Sequence, residues 1–464
     1  MSSLTKVLAE EVRKIEETAA VARTMQTNRL THHLMPPVGW LNDPNGLCWY
    51  KGRYHVFFQY SPFEANGGLK FWGHYSSEDM ISWRYEGVPL LPDSIYDCHG
   101  VYSGSAIAEK DKLHLFYTGN IKMDGDYDYI NNGRQSSTLH VESADGLHFG
   151  TKEVAVSCED YPENYTCHIR DPKVWKEGKE YRMILGGRQK SDQGAVLFYK
   201  SEDLKNWKFE GDFWAPDLYT MHEMPDLFKI GDWWYHIVTE YSDRSKMVYR
   251  MSKSLEGPWI APKDDAFDGR SYYAGRTFEL NGQRILFGWV ATKDQDDDDN
   301  NFIWAGTFMA HEVYQREDGT LGVRIPETVW NAFDKEEKTE DFVIDTPTKS
   351  TEKVVTKDTG DIFKFEADVE FTEGTRTFGV RFYEDEDKAE SYQFVFNVTE
   401  DRYVFEKKPN WPWPANQNIG LERPLELVPG KKYNIKMIVD DTIATIYVDG
   451  VALNARAYKR PGES

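Results

Sequence analysis

Five times along the chain, a turn residue leads into a short run of apolar and aromatic residues. The runs are Gly52-Arg53-Tyr54-His55-Val56-Phe57-Phe58, Asp111-Lys112-Leu113-His114-Leu115-Phe116-Tyr117, Gly178-Lys179-Glu180-Tyr181-Arg182-Met183-Ile184, Gly231-Asp232-Trp233-Trp234-Tyr235-His236-Ile237 and Gly282-Gln283-Arg284-Ile285-Leu286-Phe287. Their starts lie 51 (Gly231 to Gly282) to 67 (Asp111 to Gly178) residues apart. A second element follows the first four: a serine, a short polar turn, then an aromatic. It spans Ser77 to Trp83, Ser143 to Phe149, Ser201 to Trp207 and Ser252 to Trp259. A period of this length, filled with short strands, predicts the blades of a β-propeller, and five copies predict five blades.

The repeat also places acids. Asp43 lies nine residues before Gly52, Asp171 seven before Gly178, and Glu223 eight before Gly231. Ser103 fills the slot before Asp111; Tyr273 and Gly275 fill it before Gly282. Equivalent positions in a radial repeat face one place, so three carboxylates are expected to meet at one end of a central channel. Such a gathering opposes folding through repulsion and desolvation, so chemistry is the reason to keep it.

The surroundings of each acid suggest a division of labour. Asp43 stands in Trp40-Leu41-Asn42-Asp43-Pro44-Asn45-Gly46, where Pro44 disfavours helix and Asn45-Gly46 signals a turn. Asp171 follows Arg170, whose guanidinium favours an ionised carboxylate. Glu223 lies between Met221 and Met224, a setting expected to raise its pKa as a general acid requires. One raised acid, Glu223, and one ionised nucleophile, Asp43, make a glycosidase pair; their separation decides retention against inversion.

These stretches resemble glycoside hydrolase family 32. The resemblance rests on Trp40 to Gly46, Phe58-Gln59-Tyr60, Trp72-Gly73-His74, Tyr102-Ser103-Gly104-Ser105, Arg170-Asp171-Pro172 and Glu223-Met224-Pro225-Asp226. Phe287-Gly288-Trp289, Trp304-Ala305-Gly306 and Arg316 to Gly322 extend it. It implies a five-bladed propeller followed by a β-sandwich, and retention through a fructosyl-enzyme. It implies Asp43 as nucleophile, Glu223 as acid/base and Asp171 as transition-state stabiliser. Asn42, Gln59, Ser103 and Arg170 would line a fructose pocket, with Tyr102 and Trp72 near it. No cofactor is implied. The chain departs from the family at Met224 (usually Cys), at Tyr102 (usually Phe) and at Gly67, where many bacterial relatives carry a tryptophan lining the site.

Composition bounds the partners. A net charge of −22 and a pI near 5.0 argue against nucleic acid and for a small neutral sugar. Arg188, Lys190, Arg244 and Lys246 are candidate contacts for a sugar 6-phosphate. No Cys-x-x-Cys pair occurs, and no His or Cys spacing suggests a metal. The acidic run Asp294 to Asp299 reads as a solvated loop. The N-terminal stretch lacks the apolar core of a signal peptide and no run has membrane-spanning length, so a cytoplasmic protein is expected.

The expected organisation is all-β: a short N-terminal helix within 1–28, a five-bladed propeller over 29–335, a linker over 336–358 and a C-terminal β-sandwich over 359–464. The helix and the sandwich edges are candidate contacts for a homo-oligomer. The expected activity is release of terminal β-fructosyl units from sucrose, sucrose 6-phosphate or short fructooligosaccharides. The alternatives are an arabinan- or xylan-active relative, a fructosyltransferase and a non-catalytic sugar-binding propeller.

Overall fold

The computed structural model describes residues 2–23, 29–241, 246–298, 300–346, 348–357, 359–385, 387, 390–408 and 420–458. Helix α1 (Ser3–Arg23) opens the chain; the last residues of the expected helix, 24–26, lie outside the described residues. Val12 is buried among residues of the first sheet, Tyr85 OH donates to Glu16, and Thr5 Oγ1 donates to Asp93 at 2.6 Å.

The chain is mostly β. Five antiparallel sheets follow one another, each built from consecutive strands. The first is β1 (Trp40–Tyr50), β2 (Arg53–Ser61), β3 (Phe71–Ser77) and β4 (Arg84–Leu90); the second β5 (Val101–Glu109), β6 (Lys112–Lys122), β7 (Arg134–Ser143) and β8 (Glu153–Val156). The third is β9 (Tyr165–Glu177), β10 (Glu180–Gln189), β11 (Gly194–Ser201) and β12 (Lys208–Trp214). Then come β13 (His222–Ile230), β14 (Trp233–Glu240) and β15 (Met247–Ser252), and finally β16 (Tyr272–Leu280), β17 (Gln283–Lys293), β18 (Phe302–Gln315) and β19 (Leu321–Arg324).

The repeated sequence signals have direct structural counterparts. Lys51-Gly52, Lys110-Asp111 and Asn281-Gly282 all have positive φ, as a two-residue hairpin between right-twisted strands requires. The serine element is a capping turn. Ser77 Oγ accepts from Met80 N at 2.9 Å, and Asp79 Oδ1 accepts from the amides of Ile81 and Ser82. Ser143 with Asp145, and Ser201 with Asp203, repeat it bond for bond. The closing indoles of Trp83 and Trp207 donate back to the carbonyls of Met80 and Leu204.

The first strands, β1, β5, β9, β13 and β16, neighbour one another in that order, and β16 returns to β1. After an irregular stretch come β20 (Ile362–Glu370), β21 (Thr377–Phe382), β22 (Ser391–Asn397), β23 (Arg402–Lys408), β24 (Glu422–Pro424), β25 (Lys432–Asp440), β26 (Ile443–Val448) and β27 (Val451–Arg456). They form two sheets, β20-β25-β26-β27 and β21-β22-β23-β24, around one hydrophobic core that includes Tyr392, Phe394, Tyr403, Ile435, Ile446 and Leu453. Buried arginines join these sheets to the rest: Arg456 donates to Val290 O at 2.9 Å, and Arg423 pairs with Asp264 at 2.7 Å. In the acidic run, Asp298 is buried rather than solvated, and its carboxylate bonds Tyr392 OH and the Tyr458 amide. Asp299 and the Trp411-Pro412-Trp413-Pro414 loop lie outside the described residues.

Two buried histidine pairs brace the first two sheets. His55 Nδ1 meets His74 Nε2, and His114 Nδ1 meets His140 Nε2, each at 2.9 Å. Burial pushes His140 down to about 4 and His74 well below the ordinary value of 6.5. A base depressed in the folded state contributes stability above its unfolded pKa and loses that contribution as pH falls. The melting temperature is therefore expected to fall as pH drops from about 6.5 toward 4, before most surface carboxylates titrate; a scan by calorimetry checks this, and a flat profile over that window contradicts it.

Candidate active site

Every first strand breaks its pairing register at the same level. In β1 the break isolates Asp43 between the pairs Asn42–Gln59 and Pro44–Phe58. In β5 it encloses Tyr102 and Ser103, between Val101–Gly119 and Gly104–Tyr117. In β9, β13 and β16 it falls after Arg170, Glu223 and Tyr273. The next residue in each of these, Asp171, Met224 and Ala274, has positive φ (64, 48 and 54°). Bulges of this kind re-aim side chains out of the ladder. Gly104 is required beside Ser103, because a Cβ there would lie 1.9 Å from Phe116 O.

Register refines the slots read from spacing. Glu223 is the counterpart of Arg170 and of Tyr273, and these three bond to one another. Arg170 Nη2 pairs with Glu223 Oε1, and Tyr273 OH donates to Glu223 Oε2 at 2.6 Å. The next paired residues after each bulge are Lys173, Asp226 and Arg276, and they form a buried layer beneath. Lys173 Nζ pairs with Asp226 Oδ1 at 2.6 Å; Arg276 donates to Pro225 O at 2.6 Å and to Asp171 O at 2.9 Å. One guanidinium thus ties the bulges of β9 and β13 to β16. Charged groups so deep are held by mutual pairing.

Asp43 receives two hydrogen bonds, from Ser103 Oγ at 2.7 Å and from Trp289 Nε1 at 3.1 Å. The Trp289 ring stands edge-on to Tyr273, with centroids 5.3 Å apart, so Asp43 and Glu223 are linked through two aromatic side chains. Burial, then the charge of Asp171, raises Asp43 to about 7; Glu223 adds to the rise, while Ser103 and Trp289 oppose it. Asp171 accepts from Met224 N at 3.1 Å and donates through its own amide to Thr118 Oγ1 at 3.0 Å. Burial raises its pKa too, with Arg170 opposing. The raised acid expected at Glu223 thus has its physical basis at Asp43 and Asp171 instead. Around Glu223 stand Arg170 and Tyr273, not only methionines.

The remaining predicted residues divide. Asn42 and Gln59 are cross-strand neighbours, both buried, and Asn42 Oδ1 has no hydrogen-bond partner among the described residues. Such an acceptor, close to Asp43, suits a sugar hydroxyl. Trp72 is corrected: it is fully buried against Phe57 and Tyr117, and its indole donates to Tyr102 O at 3.0 Å, so it stands behind the wall. Trp304, 47% exposed, lies at the rim; its ring contacts Tyr273 and Trp289, and its carbonyl accepts from Trp40 Nε1. Of the four cations proposed for a phosphate, Arg188 pairs with Asp192 at 2.7 Å, Lys246 is buried within reach of Asp264 and Asp265, and Arg244 lies outside the described residues. Lys190 lines a cavity of about 430 Å³ with Arg134, Ser136, Tyr161 and Thr166.

Sequence reasoning missed Arg276 and Thr118. A single arginine in the strand Tyr272–Leu280, directly after the bulge, is the signal that marked Arg276.

Clustered carboxylates, one held ionisable near neutrality and one set between a guanidinium and a phenol, are the equipment of a glycoside hydrolase. The model of the glycosyl hydrolases family 32 N-terminal domain matches residues 33–321, and the chain belongs to that family. It is 37% identical to the sucrose-6-phosphate hydrolase of Bacillus subtilis (strain 168) over 311 residues, 62% of this chain and 61% of that enzyme. It is 29% identical to the sucrose-6-phosphate hydrolase of Vibrio alginolyticus over 453 residues, 94% and 87% of the two chains. The match therefore spans less than two thirds of the Bacillus subtilis relative's length. In fold it is similar to a sucrose-6-phosphate hydrolase from Lactobacillus gasseri, with TM-score 0.82, 24% identity and 98% and 93% coverage. It is also similar to an exo-inulinase from Aspergillus awamori, with TM-score 0.77, 20% identity and 94% coverage of each chain. No helix of the described residues is long and apolar enough to cross a membrane.

Proposed function

We propose that the chain is a retaining β-fructofuranosidase acting on a terminal β-fructosyl unit of sucrose, sucrose 6-phosphate or a short fructooligosaccharide. The observation that carries the reading is the pairing of Asp43, held by Ser103 and Trp289, with Glu223, held by Arg170 and Tyr273, on neighbouring bulged strands. Glu223 protonates the leaving oxygen while Asp43 attacks the anomeric carbon; Glu223 then takes a proton from the water that releases fructose. Asp171 accepts hydroxyl hydrogen bonds of the fructosyl ring, beside Asn42, Gln59, Ser103 and Arg170. Tyr102 forms part of the wall.

The same reading takes the closed order of first strands as a five-bladed propeller over 29–335, joined through 336–358 to a β-sandwich over 359–464. The four cysteines, all unpaired, fit a reducing, cytoplasmic setting.

Initial rates on sucrose, sucrose 6-phosphate, 1-kestose, inulin and an arabinofuranoside, with the released sugar identified, test the substrate. Fructose from the small substrates is expected; arabinose, or no sugar at all, contradicts the reading. A pH profile tests the nucleophile. Because Asp43 works ionised and is raised toward 7, kcat/KM is expected to climb with pH well above the usual carboxylate range. Ser103→Ala removes a bond that favours the ionised form, so that limb is expected to move to higher pH. A shift to lower pH, or none, removes Ser103 from this role.

A further inference from the structure

Three cations surround Tyr102, and each lies over an aromatic ring. Lys70 Nζ sits 4.3 Å from the Trp40 ring, Arg134 Cζ 5.7 Å from the Tyr102 ring, and Lys122 Nζ 5.0 Å from the Tyr129 ring. Lys122 and Arg134 are directly opposed on β6 and β7, which puts their side chains on one face of that sheet. Lys70 is their neighbour from the first sheet: a Cβ on Gly100 would touch both the Tyr102 ring and Lys70 Cβ. In a chain of net charge −22 these are unusual cations. Among the described residues, none has a carboxylate within ion-pair distance. Lys70 interacts at longer range with Asp43, Glu64 and Lys122; Arg134 does so with Tyr102, Arg170, Cys167 and Tyr241, and with no carboxylate.

Position makes these cations more than a solvated patch. Lys70 feels the charge of Asp43, and Arg134 that of Arg170, which is bonded to Glu223. The arc therefore borders the reacting acids on the side of the second sheet. Arg134 also opens onto the 430 Å³ cavity shared with Ser136, Thr166 and Lys190. Gly67 completes the arrangement. A Cβ there would come within 3.2 Å of both Lys70 Nζ and the Trp40 indole, and its φ of +87° disfavours any side chain. A bulky aromatic at this position would displace the ammonium from Trp40; glycine leaves it in place.

We propose that Lys70, Lys122 and Arg134 form the leaving-group subsite and select a phosphorylated sugar, the phosphate dianion lying among the three cations with Arg134 as its bidentate partner. The guanidinium fork matches two phosphate oxygens, while the lysines act as point charges. The inference rests on the fructosidase reading and adds the leaving group to it: a hexose phosphate in place of a neutral hexose. The cations selected from sequence, Arg188 and Lys246, are engaged elsewhere.

The test is kcat/KM on sucrose and on sucrose 6-phosphate, for wild type, Arg134→Gln and Lys70→Met. Wild type is expected to favour the phosphate ester at least about tenfold, with the preference shrinking at high salt. Each substitution is expected to reduce that ratio about tenfold or more, by raising KM for the phosphorylated substrate. Equal losses on both substrates, or a wild type without preference, overturn the inference while leaving the fructosidase reading standing. No fructose from either substrate removes both. A binding measurement on wild type gives a second route that no misfolded variant can confuse. Calorimetry is expected to show glucose 6-phosphate binding more tightly than glucose and than inorganic phosphate. Equal affinity for inorganic phosphate and glucose 6-phosphate marks a general anion patch and overturns the proposal.

Discussion

Asp43→Asn is expected to lower kcat on any fructoside by about 10⁵-fold, because it removes the attacking oxygen itself. The same change is expected to leave the protein at least as heat-stable as wild type above neutral pH. Asp43 is raised to about 7 in the folded chain, against an ordinary value of 3.8. A carboxyl raised on folding supports the fold below its unfolded pKa, and that support is lost as pH rises through the folded value. An uncharged asparagine avoids the loss and relieves the repulsion with Asp171 and Glu223. It keeps an oxygen able to accept from Ser103 Oγ or Trp289 Nε1. Turnover and melting temperature measured on the same sample separate chemistry from packing. Activity within tenfold of wild type contradicts the role of Asp43; a large fall in melting temperature contradicts the electrostatic description of the site.

Glu223→Gln is expected to reduce kcat on sucrose by about 10³-fold, within the range that positioned proton transfer supplies. Glutamine retains an oxygen for Tyr273 OH but has no proton to give the leaving oxygen. The loss should therefore depend on the leaving group. On a fructoside with an acidic phenol as leaving group, the first step needs no proton donor, and the variant should lose far less in that step. Initial-burst kinetics on the aryl substrate beside steady-state rates on sucrose check this. Equal losses on both substrates assign Glu223 to binding rather than to proton transfer.

Much of this site was legible because repetition fixes position. The same hairpin signal five times, and an acid or hydroxyl at a steady distance before it, brought Asp43, Ser103, Asp171 and Glu223 together before any coordinates. Strand edges were read nearly to the residue: Ile443–Val448 was expected and observed, although β27, after the Asp449-Gly450 turn, went unmarked. What spacing could not resolve was register within the bulges. One residue separates Arg170 from Asp171, and only the pairing with Gly186 shows that Arg170 is the counterpart of Glu223. Burial was equally opaque: Trp72 looked like a sugar platform and is a core residue. Lys70 and Arg134 lie 64 positions apart (134 less 70) in unrelated stretches, and they meet only because adjacent sheets bring them to Tyr102. Long-range electrostatics of this kind carries no local sequence signal.

The most direct test of the catalytic assignment is to trap the intermediate. Glu223→Gln is incubated with an aryl β-fructofuranoside, quenched in acid, digested, and its peptides weighed. Formation of the fructosyl-enzyme needs no proton donor with that leaving group, whereas its hydrolysis needs the missing base, so the intermediate is expected to accumulate. The expected result is one hexosyl unit esterified to the peptide containing Asp43, absent from the Asp43→Asn, Glu223→Gln double variant. A hexosyl unit on another carboxylate, or fructose released with inverted configuration and no adduct, contradicts Asp43 as the nucleophile.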